Sequence, residues 1–99
     1  MILLNKDKKR YTVLIDKRVE KDLYDVPEHI GERFIDLLDE FEKNPTKSRP
    51  KFDVKILKGF PGNLYRLRIG DYRVLYAVDK EDMIVKITAI VHMKKVYKK

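Results

Sequence analysis

The chain has 99 residues, 43% of them hydrophobic, with a formal net charge of +7 and a pI near 9.6. That length suits one domain with a single core, and that hydrophobic share argues against global disorder; the charge points to an acidic partner such as nucleic acid, an acidic protein or an anionic surface. The lack of cysteine excludes a disulfide framework, a thiolate metal site and a cysteine nucleophile, and fits a cytoplasmic protein.

The excess charge is confined to one half. Residues 1–49 hold eleven Lys/Arg against eleven Asp/Glu, whereas residues 50–99 hold twelve against five. At the start, Met1–Leu4 is an apolar run too short for a signal peptide, followed rather than preceded by charge (Asn5-Lys6-Asp7-Lys8-Lys9-Arg10). Residues 1–10 are therefore expected to form a flexible extension, with one domain over 11–99. No stretch approaches the length of a transmembrane helix, so no membrane partner is expected.

Tyr11–Ile15 is a β-branched, apolar run and predicts a first strand. Asp16 can cap a short helix carrying Val19, Leu23 and Val26 and ending before Pro27. Ile30, Phe34, Leu37, Leu38 and Phe41 recur at helical spacing and predict an amphipathic helix stopped by Asn44-Pro45. Its acidic outer face (Glu32, Asp36, Asp39, Glu40) reads as a solvated surface. Between Asn44 and Pro61 three prolines mark a connection, with room for a short strand at Phe52–Leu57. After a second turn near Asp79–Asp82, Ile84–Val91 predicts a last strand, and Met93–Lys99 a polar tail. The order is β-α-α-β-β-β: an α+β domain with two helices packed on a mainly antiparallel sheet.

Residues 64–78 form the most informative segment. Gly70-Asp71 between two alternating runs predicts a hairpin with a two-residue type II′ turn. Closing the chain there sets Ile69 against Tyr72, Leu67 against Val74 and Tyr65 against Tyr76, an apolar face for a core. The opposite face then carries Arg68 directly across from Arg73, with Arg66 two residues along. Like charges across a strand pair are destabilising. A chain that keeps them has a use for them, and a row of guanidinium forks suits phosphates.

The remaining chemistry is sparse. His29, expected between the helices, and His92, at the end of the last strand, lack metal-ligand spacing. Ser48 has no histidine nearby in sequence, and no glycine-rich nucleotide loop occurs. A cationic site of Arg66, Arg68 and Arg73, joined by Lys94, Lys95 and Tyr97 from the tail, suits attack of an RNA 2′-hydroxyl on its own phosphate. The substrate supplies the nucleophile, so the protein need only orient it, neutralise the growing charge and manage two protons. Arginines serve the last task poorly, since their pKa lies above about 12. Arg49, Lys51, Lys55 and Lys58 add longer-range attraction for RNA.

Leu57-Lys58-Gly59, the run Leu64-Tyr-Arg-Leu-Arg-Ile-Gly-Asp-Tyr-Arg-Val-Leu-Tyr76 and Val96-Tyr97 resemble the RelE branch of the RelE/ParE toxin superfamily, archaeal type, over residues 11–98. The resemblance implies a RelE-like fold, akin to the microbial RNases. It implies the toxin of a type II toxin–antitoxin pair: a ribosome-dependent endoribonuclease that cuts mRNA in the A site by 2′-hydroxyl attack, without metal or cofactor. The implied partners are the ribosome, its mRNA and an acidic RelB-like antitoxin, in a heterodimer or heterotetramer.

By position, Arg66 and Arg68 match the two basic strand residues of RelE toxins, which in some members are lysines, one of them proposed as general base. Arg73 matches the phosphate-stabilising arginine, and Tyr97 the C-terminal tyrosine that stacks on a base or aids proton transfer. Two departures stand out. Arginine at both strand positions leaves the general base without its usual occupant, and Lys94 or Lys95 must replace an arginine expected before the tyrosine. The competing readings are a ParE-like toxin that inhibits gyrase without nuclease chemistry, and a non-catalytic RNA-binding module.

Overall fold

In the computed structural model, which describes residues 10–48, 53–57 and 64–94, the chain forms strand β1 (Thr12–Ile15), helices α1 (Lys17–Leu23) and α2 (Glu28–Lys43), and strands β2 (Asp53–Ile56), β3 (Leu64–Ile69), β4 (Tyr72–Asp79) and β5 (Ile84–His92). The order is β-α-α-β-β-β-β: the β-α-α-β-β-β read from the sequence, with the short strand allowed for at Phe52–Leu57 present as β2. The N-terminal extension expected at residues 1–10 lies outside the described residues except for Arg10, which pairs with Glu42 on α2 at 3.3 Å.

Local chemistry accounts for the helices. Asp16 has an extended backbone and its carboxylate accepts the Arg18 N–H at 2.8 Å, capping α1. Such a cap contributes about 1 kcal/mol. Pro27 stands at the N-cap of α2, where a fixed φ costs nothing and no N–H is needed. His29 belongs to the first turn of α2 rather than to a link between the helices. Ile30, Phe34, Leu37 and Phe41 are buried as one stripe, with Leu38 at its margin. Glu32, Asp36 and Asp39 face solvent, as the sequence suggested, while Glu40 is half-buried.

The five strands make one sheet in the order β1-β5-β4-β3-β2, antiparallel throughout except for the parallel β1–β5 pair. Both helices cover the same face. Val19 from α1 and the α2 stripe pack onto Tyr65, Leu67, Ile69, Val74, Tyr76, Val78, Val85, Ile87 and Ile90. Those buried β5 positions (85, 87, 90) break strict alternation because of a bulge. Leu75 faces Ala89 and Tyr76 faces Ile87, so Thr88 is an extra residue, and its hydroxyl donates to the Leu75 carbonyl at 3.2 Å. The inserted residue shifts the phase, keeping apolar side chains on the helix side at both ends of β5.

Tyr76 sits at the centre of the core, fully buried, with its ring 4.3 Å from Phe41 and 5.7 Å from Tyr65. Its hydroxyl donates to the Pro45 carbonyl at 2.7 Å, tying the end of α2 to the sheet. Burial, and then the neighbouring Tyr65, push the phenol well above its ordinary pKa, so it stays neutral. Tyr65 and Tyr76 are thus core residues, as their alternation indicated. Among the described residues, no helix is long and apolar enough to cross a membrane.

Candidate functional site

The site grows from the β3–β4 turn. Gly70 lies at φ 58° while Asp71 keeps a negative φ, as a type II′ turn requires. A turn of that length leaves one register: Ile69–Tyr72, Leu67–Val74, Tyr65–Tyr76 and, on the other face, Arg68–Arg73. With the helices holding the apolar face, the arginines have only the open face of the sheet.

The edge strand β2 adds what the hairpin lacks. Asp53 pairs in register with Arg68, and Lys55 with Arg66. One row across three strands therefore reads Asp53, Arg68, Arg73, and the next reads Lys55, Arg66, Leu75. An open cleft of about 100 Å³ is lined by Asp53, Lys55, Arg66, Arg68 and Arg73. Four cations and one carboxylate leave it strongly positive. Arg66 and Arg73 are half-buried, Arg68 exposed. The Arg68 Nε donates to the Gly70 carbonyl at 2.9 Å, which holds the side chain along the turn, and among the described residues its terminal nitrogens make no ion pair.

Among the described residues, no ion pair within 4.0 Å neutralises any of the three guanidiniums. Asp53 is instead held from its own side: the Ser48 hydroxyl accepts the Val54 N–H at 3.1 Å and lies 3.4 Å from the Asp53 Oδ1, to which it donates.

The structure thus brings together Arg66, Arg68, Arg73 and Lys55 from the sequence-based set. Lys94 is exposed just beyond β5, its backbone N–H donating to the His92 Nδ1 at 3.1 Å, and it does not line the cleft. Arg49, Lys51, Lys58, Lys95 and Tyr97 lie outside the described residues. Sequence reasoning missed Asp53. Nothing local marks it, because its place beside Arg68 depends on how β2 joins the sheet edge.

A larger cleft of about 300 Å³ opens on the helix side, lined by Asp22, Asp25, Val26, Tyr72, Ile90, Val91 and His92. Its two carboxylates, Asp22 and Asp25, make it unfavourable for an anionic ligand. Among the described residues, no cluster of His, Cys, Asp or Glu could hold a metal ion. The cationic cleft can bind a phosphodiester through several charge-assisted bonds at once and stabilise added negative charge on it.

Comparison with known proteins agrees with this geometry. Residues 13–97 match the family described as ParE toxin of type II toxin–antitoxin system. A protein of Methanocaldococcus jannaschii named RelE1 is 40% identical over 90% of this chain and 97% of its own length. In the archaeal RelE–RelB complex from Pyrococcus horikoshii, the matching chain is 40% identical, superposes with a TM-score of 0.76, and aligns over 85% of this chain and 96% of that one. In the RelB–RelE complex from Methanococcus jannaschii the identity is 31% and the TM-score 0.70, over 85% and 94% of the two chains. With the fold, the hairpin and these likenesses in agreement, the chain belongs to the RelE/ParE superfamily of type II toxin–antitoxin toxins, on its RelE branch.

Proposed function

We propose that this toxin is a ribosome-dependent endoribonuclease that cuts mRNA in the A site, in the cytoplasm, by attack of a 2′-hydroxyl on the adjacent phosphate. The observation that carries the reading is the open cleft with Arg66, Arg68 and Arg73 on one sheet face and no ion pair among the described residues to neutralise them. The guanidiniums hold the phosphate and stabilise the charge of the phosphorane, and the products are a 2′,3′-cyclic phosphate and a 5′-hydroxyl. Free RNA seldom aligns its 2′-oxygen, phosphorus and 5′-oxygen, and nothing in so open a cleft forces it to. The ribosome supplies that alignment, an effect worth several kcal/mol.

One RNA is to be offered free and in a stalled ribosomal A site at equal protein concentration. Cutting in the ribosome with weak cutting of free RNA is expected; equal rates would show a general RNase. Cutting in neither setting would favour the gyrase-inhibitor reading, to which the ParE family match lends support. A toxin with a row of cations also calls for an acidic antitoxin that brings carboxylates to them. The matched archaeal RelE chains were solved with RelB, and the same kind of partner is proposed here, in a heterodimer or heterotetramer. Co-expression with the neighbouring gene should yield a co-purifying small acidic protein; free high-level expression without growth cost would count against a toxin. Tyr97, Lys94 and Lys95 are assigned to the same reaction from their sequence positions, the tyrosine stacking on a base or aiding proton transfer.

A further inference from the structure

We infer that Asp53 is the proton acceptor for the attacking 2′-hydroxyl. The inference rests on the nuclease reading above and fills its chemical gap. Three of the residues lining the cleft are arginines, which do not give up a proton at working pH, and Lys55 is an ammonium with no acceptor. Asp53 alone among the lining residues carries a proton-accepting oxygen in its ionised state.

Its placement suits the task. Asp53 stands in register with Arg68, and Arg68 with Arg73, so the carboxylate ends a row whose other members are two guanidiniums. Neighbouring side chains in such a row are about 5 Å apart. A phosphate held by Arg68 and Arg73, with its ribose turned towards β2, brings the 2′-hydroxyl to the carboxylate. Ser48 donates to Oδ1, and among the described residues Oδ2 has no hydrogen-bond partner, leaving it to receive the proton. In the step, the 2′-oxygen bonds to phosphorus as its proton passes to Asp53 and the bond to the 5′-oxygen breaks. The departing 5′-oxygen takes a proton from water, and Asp53 returns its own to the hydroxide so formed. No net proton is gained or lost.

The alternative role for Asp53 is to temper the repulsion among the cations, and the two roles predict opposite results. Asp53→Asn keeps the shape of the side chain and its bond to Ser48. Single-turnover cutting of A-site mRNA and binding of the same RNA with a 2′-deoxy sugar at the cut site are to be measured for the wild type, Asp53→Asn and Asp53→Glu across pH. Proton acceptance predicts that Asp53→Asn cuts roughly 10²–10⁴-fold more slowly, binds the uncuttable RNA as tightly or more tightly, and loses the acidic limb of the pH–rate profile. Asp53→Glu should retain that limb. Wild-type cutting and an unchanged pH profile in Asp53→Asn would overturn the inference and leave the nuclease reading standing. A wild-type protein that cuts nothing would overturn both.

Discussion

Arg73→Ala tests the cleft most directly. Arg73 is half-buried on the open face, directly across from Arg68, and among the described residues it makes no ion pair. Its guanidinium thus has no charged partner among the described residues, whereas the Arg68 Nε is bonded to the Gly70 carbonyl. Removing it relieves a like-charge pair worth a few tenths of a kcal/mol. Thermal unfolding should accordingly be unchanged or slightly later. The reaction loses a cation at the point where negative charge develops, and the loss of one such stabilising group typically costs about 3–4 kcal/mol of barrier. Cutting of A-site mRNA, followed by mapping of 5′ ends, should fall by roughly 10²–10³-fold. Lys80→Ala is the control: the same charge is removed from the exposed β4–β5 turn, and cutting should be unaffected. Near wild-type cutting by folded Arg73→Ala would refute the assignment of the cleft.

The remaining predictions concern the scaffold and the electrostatics. Tyr76→Phe deprives the Pro45 carbonyl of a buried donor and should lower stability by about 1–3 kcal/mol in urea unfolding; no loss would mean that the bond contributes nothing. Because burial raises the Tyr76 pKa above its unfolded value, its contribution is fully present below about pH 10 and is lost as pH rises beyond that. Alkaline unfolding should therefore be shallower in Tyr76→Phe than in the wild type, and identical pH curves would refute the linkage. Gly70→Ala places a Cβ at φ 58°, 3.2 Å from the Ile30 Cδ1, and should cost about 1–3 kcal/mol, read as an earlier thermal midpoint. Binding of single-stranded RNA should weaken with salt at a log–log slope near −3, from about 0.7 per cation for four cations; a slope near zero would exclude the cleft as a phosphate site.

Several features were legible because they depend on neighbours in sequence. The Gly70-Asp71 turn is closed by adjacent residues, and a two-residue turn permits one register, so the Arg68–Arg73 pair follows from the order of residues alone. The α2 stripe and the Asp16 cap are likewise local, each set by side chains within one or two turns of helix. What stayed hidden involves contacts between segments far apart in the chain. The parallel docking of β1 against β5 brings the first strand to the last across the whole domain. The Thr88 bulge corrects the phase of β5 against both β4 and the helices, and no run within β5 announces it.

The same distinction governs the site. Sequence by itself determined the three arginines on one face, because alternation and a tight turn leave a strand pair no other arrangement once its apolar side is buried. Only the tertiary structure decided that β2 would take the free edge of β3, with Val54 against the core and Asp53 and Lys55 beside the arginines. Edge pairing is chosen by which strand can satisfy an open ladder while burying its own apolar side chains. That choice belongs to the assembled sheet, and with it came the one carboxylate of the cleft.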